Sequence, residues 1–167
     1  MVRENDLCTK ARFIEVPIPG GVLLARPANY AAESWAGRGD FGKMAHRILI
    51  IDDEDDIREI AAMSLETVAG WEVMVANSGA QGLTRAAMYR PDAILLDVMM
   101  PGMDGPTTFR ELQKNPTTAN IPVLFLTAKV QAHDRARFAN LGIQAVLVKP
   151  FDPLMLPTQI ASVLGWT

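Results

Sequence analysis

The sequence predicts a doubly wound α/β domain: a five-stranded parallel sheet with helices packed on both faces. Two observations carry this. From His46 onward, short apolar runs alternate with amphipathic stretches at regular intervals. Strands that alternate with helices pair in parallel through right-handed crossovers. The first run, Arg47-Ile48-Leu49-Ile50-Ile51, is continuously apolar up to a pair of acids, as suits a strand covered on both faces.

The elements come in order along the chain. After the first strand, Ile57, Ile60, Ala61, Ser64, Leu65 and Val68 repeat at helical spacing, and Gly70 ends that helix. Residues 71–76 read as a second strand. Ser78 is placed to cap a second helix that runs to about Tyr89 and stops before Pro91. Residues 93–96 form a third strand ending at Asp97, and 107–114 a third helix. Residues 121–126 form a fourth strand ending at Thr127. A fourth helix is predicted over 131–141, closed by Gly142, then a fifth strand over 145–148 ending at Lys149. The last helix reaches Gly165. Proline inside a helix costs ~3 kcal/mol, whereas the first helical position tolerates it. Regular helix is therefore expected from Pro157, with 152–156 a separate turn.

Residues 1–45 read differently. Pro17, Pro19, Pro27, Gly20-Gly21, Gly37 and Gly39 punctuate them, and their apolar residues keep neither helical nor strand spacing. They carry six Lys/Arg and five Asp/Glu, whereas residues 46–167 carry ten and fourteen. The expectation is a poorly ordered N-terminal extension, 1–45, ahead of a folded domain, 46–167. Met44 directly precedes the first strand, which makes it a candidate start and the extension a candidate artefact of start assignment. A genuine partner-binding tail is the competing reading.

Composition narrows the function. With 49% hydrophobic and 21% charged residues, the 167-residue chain can build a core. A formal net charge of -3 gives no basic face for nucleic acid. Cys8 stands alone, so no intrachain disulfide forms and a reducing cytoplasm fits. No apolar run approaches the ~20 residues that span a bilayer. Glu4, Asp6 and Lys10 stand where a secretory signal needs apolar residues.

The chemistry lies at the strand ends. Asp52-Asp53, Asp97, Thr127 and Lys149-Pro150 end strands one, three, four and five, and this architecture gathers them at one edge of the sheet. Three carboxylates in one pocket repel unless a cation neutralises them, and an all-oxygen cluster suits Mg²⁺. A hydroxyl and an ammonium opposite them can hold the oxygens of a tetrahedral anion. Together these groups suit phosphoryl transfer, with an aspartate able to act as nucleophile.

In these residues the chain resembles the receiver domains of two-component response regulators, of the stand-alone type. The matching text is Ile48 to Glu54, Leu95 to Gly105, Ile121 to Ala128 and Val148-Lys149-Pro150-Phe151, which together cover about 46–167. The resemblance implies a flavodoxin-like sheet of order 2-1-3-4-5. It implies Asp97 as phosphoacceptor and Asp53 and Asp97 as direct Mg²⁺ ligands. Asp52 would act largely through water, and Met99 would offer its backbone carbonyl. Thr127 and Lys149 would answer the phosphoryl group, and the Lys149-Pro150 bond would be cis. The implied donor is a histidine kinase or a histidine phosphotransfer protein. The implied output is a protein contact on the face of the fourth helix, fifth strand and fifth helix, without nucleic acid or membrane insertion. Met99 and Lys129 flank the path of hydrolytic water in the family. Val146 departs from the family's frequent Tyr or Phe, which puts that side chain's part in the relay in question.

Other readings compete. Asp52 and Asp53 could merely cap the first helix, although Asp55 and Asp56 serve equally well there. Asp97 could be a loop residue, Thr127 a cap and Lys149 a solvated lysine; their joint occurrence at four strand ends favours a site. His46 and His133 lack metal-ligand spacing and read as surface residues. The methionines read as core and loop filler. A phosphatase of the haloacid dehalogenase type could use Asp53 in Asp53-Glu54-Asp55. A phosphorelay intermediate and a non-phosphorylated scaffold complete the alternatives. On the receiver reading the protein is a switch that assists its own phosphorylation and dephosphorylation, not an enzyme acting on an external substrate.

Overall fold

The computed structural model describes residues 14–18, 21–25, 45–128, 138 and 140–166. Its strands are β1 (Ile14–Ile18), β2 (Gly21–Ala25), β3 (Arg47–Ile51), β4 (Glu72–Ala76), β5 (Ala93–Asp97), β6 (Val123–Thr127) and β7 (Ala145–Val148). The helices are α1 (Asp55–Ala69), α2 (Gly79–Tyr89), α3 (Gly105–Lys114) and α4 (Leu156–Leu164). All seven strands form one sheet, ordered β1-β2-β7-β6-β5-β3-β4. The five strands from β3 onward pair in parallel, in the predicted 2-1-3-4-5 order.

Continuous apolar runs arise because each central strand feeds two cores. Side chains alternate across a strand. Leu49, Ile51, Ile94, Leu96, Val123, Phe125 and Val146 enter one layer, with Ala86 of α2 and Phe109 and Leu112 of α3. Their neighbours Ile48, Ile50, Leu95, Leu124, Leu126, Ala145 and Leu147 enter the other, against Ala61 and Leu65 of α1 and Leu156 and Ile160 of α4. Gly82 permits the close seat of α2 on β3: a Cβ there would lie 2.9 Å from Cγ1 of Ile51.

Several boundaries shift for local reasons. The third helix begins at Gly105, because the Asp104 carboxylate accepts from the Thr107 amide at 2.8 Å and Pro106 fits the first turn. The fourth strand begins at Val123, and Trp71 precedes β4. At the carboxyl end, the Asp152 carbonyl accepts from Met155 and Leu156, forming the separate turn, and helix comes next with Pro157 in its first turn. The Lys149-Pro150 bond is cis. Of the predicted 131–141 helix, Phe138, Asn140 and Leu141 are described and helical; the rest lies outside the described residues, as do Cys8, Lys129 and His133. Among the described residues no helix is long and apolar enough to cross a membrane.

Two expectations need correction. Residues 14–18 and 21–25 depart from the poorly ordered extension: β1 and β2 pair antiparallel over five residue pairs, and β2 pairs antiparallel with β7. Aliphatic stretches flank Pro19-Gly20, a hairpin signature. Pro17 is compatible with it because β1 is the outermost strand, where a missing amide donor is tolerated. His46 is not a free surface residue. It is half-buried and stacks on Trp166 at 3.8 Å between ring centroids, with Trp71 edge-on to both.

Candidate functional site: an acidic pocket closed by Lys149

The parallel register sets the site. Ile51 lies opposite Leu96, Asp97 opposite Leu126 and Thr127 opposite Val148. The residues at or just past these ends therefore converge. Backbone bonds hold them beyond the sheet: Asp52 donates to the Ala76 carbonyl at 3.1 Å, Val98 to Leu126 at 3.0 Å and Lys149 to Thr127 at 2.7 Å. The first turn of α3 presses against Asp97. A Cβ on Gly105 would strike the Asp97 carbonyl oxygen and lie 2.8 Å from the Val98 Cα, so only glycine allows this approach.

Asp52, Asp53 and Asp97 each offer an oxygen within 4.8 Å of the others. Asp52 is 0% exposed, Asp97 3% and Lys149 9%. The Lys149 ammonium lies 2.7 Å from Asp52 Oδ2, 2.9 Å from Asp97 Oδ1 and 3.0 Å from Glu54 Oε1. The second oxygen of Asp97 accepts from the Met99 amide at 3.0 Å. Asp52 Oδ1 accepts from the Glu54 amide at 2.9 Å. Thr127 is buried at the end of β6, beside these groups in register. The Met99 side chain is 76% exposed, and its backbone amide is tied to Asp97. Val146, fully buried in the first core layer, holds no outward position for a rotamer switch.

Electrostatics derive from burial. Loss of solvent pushes the Asp97 carboxyl up to about 6; the lysine hydrogen bond opposes this and the Asp52 charge adds to it. Burial works against the Lys149 charge, but bonds to Asp52, Asp97 and Glu54 outweigh it and raise its pKa. Among the described residues one ammonium, that of Lys149, faces the carboxylates of Asp52, Asp53, Glu54 and Asp97. Among the described residues Asp53 Oδ1 is buried with no hydrogen-bond partner. An unsatisfied buried oxygen in an all-oxygen donor set fits a hard divalent cation.

Every predicted site residue is thus gathered at one sheet edge. Glu54 is the addition. It appears in the matched text, yet its contact with Lys149 spans 95 positions of sequence, which no local pattern displays. The Asp-x-Asp alternative does not converge: Asp55 opens α1, is exposed and pairs with Arg58.

Comparisons with known proteins agree with this geometry. The family model for the response regulator receiver domain matches residues 48–161. The chain is 39% identical over 121 residues to the DNA-binding dual master transcriptional regulator RpaA of Synechocystis, covering 72% of this chain and 50% of RpaA. It is 43% identical over 120 residues to the response regulator PleD of Caulobacter vibrioides, covering 71% and 26%. The chain therefore spans about half of RpaA and a quarter of PleD. The chemotaxis protein CheY4 of Vibrio cholerae superposes with a TM-score of 0.68 at 30% identity, covering 72% of this chain and 100% of CheY4. A receiver domain of a histidine kinase from Syntrophus aciditrophicus gives 0.64 at 30%, covering 72% and 91%. With its sheet order, its strand-end carboxylates and its matched span, the chain belongs to the response regulator receiver family.

Proposed function

We propose that the chain is a phosphorylation switch in which Asp97 takes a phosphoryl group from the phosphohistidine of a kinase or phosphotransfer protein. The observation that carries this is the Lys149 ammonium 2.9 Å from Asp97 Oδ1, in a pocket that also gathers Asp52 and Asp53. An Asp97 oxygen attacks phosphorus as the phosphorus–nitrogen bond breaks, and the imidazole departs with the bonding pair. Lys149 pairs with a phosphoryl oxygen, releasing Asp52 and Glu54. The Thr127 hydroxyl donates to another. With a pKa near 6, Asp97 is mostly ionised at neutral pH and available as nucleophile. Asp53 and Asp97, with Asp52 through water and the Met99 carbonyl, would hold Mg²⁺. When bound, the ion would supply neutralisation of the negative charge gathered at the site.

Hydrolysis at phosphorus resets the switch, so the protein acts on itself rather than on an external substrate. Phosphorylation adds about -1.5 to -2 of charge and three acceptor oxygens. Thr127 and Lys149 end β6 and β7, so the face formed by the helix before Gly142, β7 and α4 is where the change leaves the site. A cytoplasmic protein partner reads that face. The negative charge of residues 46–167 argues against direct contact with nucleic acid by this domain. Phosphate incorporation from acetyl phosphate with Mg²⁺ tests the assignment. It should vanish in Asp97→Ala, and incorporation at the parent level would refute it.

A further inference from the structure

We propose that β1 and β2 are a detachable cover for the β7 edge of the sheet, held in cis, which excludes any other extended chain until it lifts away as a unit. Three features carry this. First, β7 would otherwise be an edge strand, and its Ala-Val-Leu-Val run with unpaired backbone groups would template an added strand. The site that β2 fills therefore takes an antiparallel extended segment, the geometry by which a partner protein adds a strand to a sheet.

Second, the hold is unequal. Five residue pairs join β1 to β2, but only Leu24 with Val146 and Ala25 with Ala145 join β2 to β7. The hairpin is better tied to itself than to the domain, so the seam on β7 opens first. Third, the tether is long. Ala25 faces the first residue of β7, so it lies at the same end of the sheet as the start of β3. Four strand spacings separate β2 from β3, about 19 Å. The twenty-one intervening residues, 26–46, have a contour length of up to ~70 Å. Departure of the hairpin strains nothing in the parallel sheet. The edge it uncovers runs directly into Lys149, so occupation of β7 and the state of the pocket share one strand.

Backbone pairing alone carries this proposal, and it stands or falls separately from the role of Asp97. Amide hydrogen exchange tests it on three proteins: the intact chain, Leu24→Pro in the intact chain, and the chain from residue 45. The last folds on its own, since the matched region covers all of CheY4, a complete receiver without this hairpin. The amides of 145–148 that face away from β6 should exchange at least about tenfold faster in both variants than in the intact chain, while β5 amides stay unchanged. Equal exchange at 145–148 in all three would overturn the proposal. So would an equal acceleration in β5, because the hairpin would then be an integral part of the core fold. Phosphate acceptance measured on the same samples reports on Asp97 independently.

Discussion

Asp97→Asn should make the metal-free protein more stable at neutral pH. Asp97 is buried beside Asp52, and its carboxyl is pushed from 3.8 up to about 6. At 1.36 kcal/mol per pH unit, ionised Asp97 costs the fold up to ~3 kcal/mol. Water and counterions at the pocket mouth screen part of this and leave about 1–2 kcal/mol. Asparagine keeps an acceptor for the Met99 amide, and Lys149 keeps Asp52 and Glu54 as partners. The raised pKa sets the sign. The parent's folded state holds the proton more tightly than its unfolded state. The parent is therefore stabilised as pH falls through about 6, fully so below 3.8, and loses that gain as pH rises again. The asparagine variant stays neutral throughout. Its advantage should be largest above pH 6 and should close towards pH 4. Urea unfolding in EDTA across that range measures it. A variant no more stable than the parent at pH 7.5, or an advantage that grows towards pH 4, would refute the reasoning.

Lys149→Met should cost about 3–5 kcal/mol in EDTA, because it strands Asp52 and Asp97 without their ammonium; Mg²⁺ should restore part of the loss in urea unfolding. Gly82→Ala should destabilise by about 1–3 kcal/mol through overlap with Ile51, and less in an Ile51→Val background, which removes the Cδ1 that the new methyl strikes; a double-mutant cycle checks the coupling. In a Trp35→Phe background tryptophan fluorescence should respond little to Mg²⁺, because Trp71 and Trp166 pack around His46 at the far end of the strands. Amide shifts at Asp52, Asp53 and Met99 should track the same titration clearly.

The sheet was legible because its strands feed two cores. A run such as Ile48 to Ile51 leaves no polar face to confuse with a helix, and the residue types at the strand ends then mark the pocket. Contacts between distant segments were not legible. Glu54 reaches Lys149 only after the sheet is assembled, and His46 finds Trp166 only once α4 is seated beside β3. The hairpin was hidden for another reason. Pro17, Pro19 and Gly20-Gly21 read as interruptions, although a Pro-Gly step between aliphatic stretches is also a turn, and an edge strand accepts a proline.

The register across β3, β5, β6 and β7 makes chain length a stricter constraint than residue identity. These strands are five, five, five and four residues long, and each delivers its polar group to one height. Exchange among valine, leucine and isoleucine within them usually costs under about 1.5 kcal/mol. Deleting a single residue from β5 slides the remainder of the strand by about 3.3 Å and turns every later side chain to the opposite face. Asp97 would then point into a hydrocarbon layer, away from its lysine. Genes encoding this domain can therefore be rewritten extensively within these strands by substitution, while an in-frame deletion of one codon between 93 and 97 should abolish the pocket outright.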